Sequence, residues 1–235
     1  MSKINLEIYA DGANLIDIEE MAQDSRISGF TTNPTLMAQS GITDYLSFAK
    51  SAISVIGNKP LSLEVFSDDV DEMYDQAHIL NELGDNVWVK IPISNTKQEY
   101  TYDLISRLVS DEVKLNVTAV FTEEHIKRTY QSFLPNSSAI VSIFAGRIAN
   151  TGLDPEDTIN YASKIGSKYP NTKILWASSR EVFNIIQAQR SGANIITLPS
   201  NLIQGLKDLD RDLDEYSLDT VKMFYNDAAK SGFTI

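Results

Sequence analysis

Residues Lys114-Leu-Asn-Val-Thr-Ala-Val-Phe121 form a short apolar run of strand character. Residues Thr122–Leu134 then change to helical spacing, and Ala139-Ile-Val-Ser-Ile-Phe144 returns to a strand. A run, a helical stretch and a second run of the same kind are the sequence pattern of one βαβ unit. The pattern continues in both directions. Further strands are predicted over Leu6–Asp11, Gly29–Asn33, Leu61–Phe66, Val87–Ile91, Lys173–Ser178 and Asn194–Pro199. Helices are predicted over Asp68–Leu83, Thr96–Ser110, Asp154–Lys168 and Ser179–Ser191, several opening on a capping Asp, Ser or Thr.

Repeated βαβ units imply an α/β fold with parallel strands. Without a composition break or a linker, they favour one closed (β/α)8 TIM barrel over residues 1–235 as a single domain. An open doubly wound sheet would want a Gly-rich turn after the first strand. Here that strand runs out as Tyr9-Ala-Asp-Gly-Ala-Asn14, and the chain contains neither GxGxxG nor a Walker A motif. Residues Tyr216–Ser231 read as one extra amphipathic C-terminal helix. It is expected either to cover the barrel or to reach a neighbouring subunit, which would make the protein a homo-oligomer.

Composition narrows the function. The 235 residues (26.2 kDa) are 43% hydrophobic, enough for a sizeable core. Lys and Arg number 20 against 32 Asp and Glu, a formal charge of −12 with a pI near 4.6. That balance argues against nucleic acid and acidic membrane surfaces as partners, and an anionic substrate would need a few local cations to hold it. There is no cysteine, so disulfides, thiolate metal sites and a cysteine nucleophile are excluded. The start, Met-Ser-Lys-Ile-Asn-Leu-Glu, carries charge where a signal peptide needs an apolar core, so the cytoplasm is the expected location. The acceptor-like tripeptides at Asn116 and Asn136 then lack a secretory context.

In such barrels the reactive groups lie at the carboxyl ends of the strands. Polar residues gather there: Asp11, Asn33, Glu64, Lys90, Asn116, Thr118 and Ser142, then Arg147, Ser178 and Arg180 just beyond. Pairs two apart, such as Asn116/Thr118 and Ser142/Phe144, face the same side of a strand. The run Val87-Trp-Val-Lys-Ile-Pro92 is the most informative, because desolvation of a mid-strand lysine among apolar neighbours disfavours its ammonium form. A free amine is the group that attacks a ketone to form a Schiff base. The structural alternative is a salt bridge to Glu64 or Asp11, or a snorkelling side chain. Lys59, Lys114 and Lys173 open strands or precede them and belong to the opposite face. No metal is expected. His78 and His125 fall within helical segments, and the acidic stretch Asp208–Asp214 lacks the glycine and glutamate of a calcium loop. The run Asp68–Glu72 reads as a helix start.

Thr31-Thr-Asn-Pro-Thr35, Val89-Lys-Ile-Pro92, Asn116-Val-Thr118 and Ser142-Ile-Phe-Ala-Gly-Arg-Ile148 resemble the transaldolase family, class I aldolase barrels that need no cofactor. The resemblance implies Lys90 as the Schiff-base nucleophile. Glu64 and Thr118 correspond to a proton shuttle acting through water, and Asp11 to the base that takes a hydroxyl proton. Asn33, Asn116 and Ser142 resemble the residues that bind the dihydroxyacetone hydroxyls. Arg147, Ser178 and Arg180 resemble a phosphate clamp, so phosphorylated sugars are the implied substrates. Where relatives often carry an aromatic after the serine of the seventh strand, this chain has Ser179. Fructose-6-phosphate aldolases are the nearest alternative, but they tend to carry Gln and Tyr in place of Glu64 and Phe144. More distant alternatives are a phosphosugar isomerase and a non-catalytic barrel.

Overall fold

The computed structural model describes residues 4–234. Eight parallel strands close on themselves in sequence order: β1 (Glu7–Asp11), β2 (Ile27–Thr31), β3 (Leu61–Glu64), β4 (Val87–Pro92), β5 (Leu115–Val120), β6 (Ala139–Ile143), β7 (Thr172–Trp176) and β8 (Ile195–Pro199). Closure is completed where β1 pairs with β8, Asp11 lying opposite Pro199. Helices follow the strands around the outside, so this is a (β/α)8 barrel with an additional C-terminal helix.

The alternation of strand side chains builds two shells. Val87, Val89 and Ile91 of β4 point outward and are fully buried beneath the helices, as are Leu115 and Val117 of β5. The inward set is distinct: Tyr9, Ile140, Leu175, Ala177 and Ile195, with Trp88 and Phe144 packed against them. Each large apolar side chain removed from water contributes about 1.5–3 kcal/mol, so this inner plug stabilises the barrel as well as flooring it. Gly29 makes room for it. A Cβ there would lie 2.6 Å from the Tyr9 ring, and only hydrogen lets the ring fill the barrel axis.

Strand positions agree with the sequence reading to within about two residues at either end, the usual uncertainty of boundaries. Two helices begin later than expected. Residues Thr96–Thr101 are loop, because the Asn95 carboxamide accepts from the Lys97 and Glu99 N–H groups, and Asp68 binds Thr96 through both backbone and hydroxyl. Ser179–Phe183 are also loop, with the helix beginning at Asn184. Leu15–Gln23, capped by Asn14, and Tyr45–Ile56, capped by Asp44, complete the outer layer over the first strands.

The tail helix spans Leu213–Ser231 behind its Asp212 cap, and none of its residues is buried, so it does not cover the barrel. The acidic stretch before it supplies that cap and the ion pairs of Arg211 with Asp208 and Asp219. Asp69 likewise caps Val70–Asn81. Lys59, Lys114 and Lys173 bind carbonyls or Glu7 at the amino ends of the strands. Among the described residues, no helix is long and apolar enough to cross a membrane.

Candidate active site

Moving along most of the strands past the apolar floor, the next inward position is polar; β7 is an exception, with Ala177 after Leu175. Asp11 follows Tyr9 at a spacing of two, as Lys90 follows Trp88, Ser142 follows Ile140 and Thr197 follows Ile195. The same parity brings in Thr31, Ser62/Glu64 and Asn116/Thr118. A polar layer therefore rests on an apolar one at the carboxyl end of the barrel, around a cavity of about 570 Å³. All eleven residues singled out from sequence line it: Asp11, Asn33, Glu64, Lys90, Asn116, Thr118, Ser142, Phe144, Arg147, Ser178 and Arg180.

Lys90 is buried, and its Nζ donates to Glu64 Oε2 and to the Thr32 carbonyl, both at 2.8 Å. Glu64 and Lys90 are register partners across β3 and β4, which puts the carboxylate beside the amine. The strand alone suggests an amine isolated among apolar groups; the structure gives it a carboxylate partner instead, with side-chain exposures of 8% and 18%. The salt-bridge alternative therefore describes the resting contact. That contact also puts a proton acceptor beside the amine. Tyr45 holds the end of β3 by donating to the Glu64 carbonyl at 2.8 Å.

Asp11 accepts from Thr31 Oγ1 at 2.8 Å. Burial pushes its carboxyl above the ordinary range and repulsion from Glu64 adds to this, against the opposing pull of Lys90 and the Thr31 hydrogen bond. It is thus a carboxylate that binds a proton more readily than one in water.

Ser142 Oγ donates to Asn116 Oδ1 at 2.6 Å, and Asn116 Nδ2 donates to Ser62 Oγ at 3.0 Å. This chain of buried groups fixes the carboxamide and leaves one of its two Nδ2 hydrogens for a ligand. Asn33 caps the helix Pro34–Gln39 through its Oδ1, accepting from Leu36 N at 3.0 Å, which frees its own NH2 for the cavity. After Thr118 the strand bulges, with Ala119 at φ 57° and a register shift between Val117 and Val120. The Phe144 ring packs on Phe121, centroids 5.6 Å apart, and under the Arg147 guanidinium.

Arg26, Arg107, Arg190 and Arg211 are each paired with carboxylates, whereas Arg147 and Arg180 make no ion pair among the described residues. Two exposed guanidinium groups thus stand at the mouth of a polar cavity in a protein of charge −12, and guanidinium is a planar, multi-donor group suited to gripping an oxyanion. No group of three or more His, Cys, Asp or Glu among the described residues is arranged to hold a metal ion. The sequence reading omits Thr31 and Ser62. Ser62 lies two before Glu64, and the same-face rule applied to Asn116/Thr118 would have found it.

The family model described as Transaldolase/Fructose-6-phosphate aldolase matches residues 8–235. The chain belongs to this family. Among curated relatives, a probable transaldolase of Carboxydothermus hydrogenoformans is 33% identical over 202 residues, covering 84% of this chain and 88% of its own. Probable transaldolases of Dehalococcoides mccartyi, 32% identical over 84% of this chain and 88% of theirs, and of Thermoplasma volcanium, 30% over 85% and 86%, are similar in extent. Among solved structures, a putative isomerase from Sinorhizobium meliloti in an open loop conformation superposes with a TM-score of 0.61 at 11% identity. It covers 88% of this chain, which spans only 55% of that structure, and the likeness is one of fold. Membership of the transaldolase/fructose-6-phosphate aldolase family makes the protein an aldolase-type enzyme by relationship.

Proposed function

We propose that the protein is a transaldolase that moves a dihydroxyacetone unit between phosphorylated sugars through a Lys90 Schiff base, in cytosolic pentose phosphate interconversion. The observation that carries this is the placing of the Lys90 amine, 2.8 Å from a carboxylate, at the base of a cavity whose mouth holds two arginines with no ion pair among the described residues. Lys90 gives its proton to Glu64 and attacks C2 of sedoheptulose 7-phosphate or fructose 6-phosphate, forming a carbinolamine. Glu64 and Thr118, relaying through water, protonate the departing hydroxyl, and water leaves to give the iminium ion. Asp11 takes the C4 hydroxyl proton, the C3–C4 bond breaks into the iminium, and an aldose phosphate departs. The enamine left on Lys90 adds to glyceraldehyde 3-phosphate or erythrose 4-phosphate, Asp11 returns the proton, and hydrolysis releases the new ketose. Asn33, Asn116 and Ser142 hold the hydroxyls of the retained unit, while Arg147, Ser178 and Arg180 hold the phosphate.

Arg147→Ala or Arg180→Ala should raise KM for fructose 6-phosphate far more than for fructose. Each removes charge-assisted hydrogen bonds worth about 1.5–3 kcal/mol, or roughly ten- to a hundredfold in KM. Equal effects on the two sugars would place these arginines outside the phosphate site.

Release of dihydroxyacetone to water is the second reading, since the family covers both activities. Phe144 favours transfer: its ring faces the cavity beside Ser142 and offers no proton to the enamine. Free dihydroxyacetone should therefore form slowly from fructose 6-phosphate alone, and consumption should quicken when erythrose 4-phosphate is added. Phe144→Tyr should gain the release activity. A wild type that releases dihydroxyacetone as fast without acceptor as it transfers with one is an aldolase.

A further inference from the structure

Beyond the clamp residues themselves, the turn that presents them is held in a conformation a free chain would rarely adopt. Ser178 has φ 65°, left-handed for a residue with a Cβ. Three contacts hold it there. The Gly146 N–H donates to the Ala177 carbonyl at 3.3 Å, and a Cβ on Gly146 would lie 1.7 Å from the Ser178 carbonyl oxygen, so only glycine allows the two backbones to meet. Ser179 is buried, and its hydroxyl donates to the Thr197 carbonyl of β8 at 2.7 Å. Asn184 Oδ1 accepts from the N–H groups of Arg180 and Glu181, at 2.7 and 3.2 Å.

Gly146 immediately precedes Arg147, while Ser178 and Arg180 flank Ser179. The two arms of the clamp come from different strands, and the contacts above are the places where those arms are joined to each other and to the barrel. We infer that Gly146 and Ser179 are positioning residues for phosphate recognition, setting Arg147, Ser178 and Arg180 at one mutual spacing without touching substrate. Ser179 does not wall the pocket; it ties the end of β7 to β8. Strain held by the surroundings at a binding turn is a form of preorganisation. The inference rests on the phosphate reading of that clamp.

The test compares KM and kcat for fructose 6-phosphate and for fructose, together with inhibition by inorganic phosphate. Ser179→Ala loses one hydrogen bond and keeps the turn's size. It should raise KM for fructose 6-phosphate and weaken inhibition by phosphate about tenfold, leaving KM for fructose and kcat within about twofold. Gly146→Ala should show a larger discrimination of the same sign; should it not fold, Ser179→Ala decides alone. A uniform loss on both sugars, or no change in Ser179→Ala, overturns the inference. Arg180→Ala measured alongside separates the two levels. If it discriminates and Ser179→Ala does not, positioning fails and the phosphate reading stands; if neither discriminates, both fall.

Discussion

Lys90→Met is expected to lose turnover by on the order of 10⁴-fold or more while remaining folded, because without the amine there is no covalent intermediate and no electron sink for C3–C4 cleavage. Methionine approximates the length of the lysine stem and stays on the inward face of β4, next to Trp88 of the apolar floor. The change leaves Glu64 without its partner, but that carboxylate still opens on the cavity, so the cost to stability is less than the ~3–5 kcal/mol of breaking a fully buried pair. Circular dichroism and thermal melting check the fold, and a coupled transfer assay reads the activity. A variant retaining more than a few per cent of activity would mean that another group carries the sugar.

Asp11→Asn is expected to slow turnover by about 10²–10⁴-fold, the usual contribution of a positioned general base. It should also stabilise the protein at neutral pH. Burial raises the Asp11 pKa in the fold, so the native state holds this proton more tightly than the unfolded chain. By linkage, stability then falls as pH rises from the unfolded value near 3.9 to the raised native value, and the penalty persists above it. Asparagine removes the ionisation and can still accept from Thr31 Oγ1. Its melting temperature should exceed that of wild type at pH 7 and converge on it in acid. The acid limb of kcat/KM in the wild type should correspondingly lie above the ordinary carboxylate range. A melting temperature lowered at pH 7 would show that ionised Asp11 supports the fold through Lys90.

The barrel was legible because parallel strands buried on both faces read as short continuous apolar runs, as Val87–Pro92 and Ala139–Ile143 do. Most of the eleven residues were legible because they lie late in a strand or just beyond its end, while Asn116 lies early in β5 and was found through its same-face partner Thr118. Contacts set between strands were not. That Glu64 meets Lys90 depends on the β3–β4 register, and so does the contact by which Asn116 leans on Ser62, although the same-face rule could place Ser62 itself beside Glu64. Helix starts at Tyr102 and Asn184 were misplaced because Asn95 and Asn184 turn the preceding backbone with their own side chains, a competition that helical periodicity does not register. The left-handed turn at Ser178 was hidden for a similar reason: its cause, Gly146, sits on another strand's connection.

The most direct measurement is borohydride reduction of the wild type in the presence of fructose 6-phosphate, followed by peptide mass mapping. The account predicts one stable adduct carrying the three carbons of dihydroxyacetone, on the peptide containing Lys90 and on that residue within it. No adduct, or an adduct on a different lysine, would contradict it.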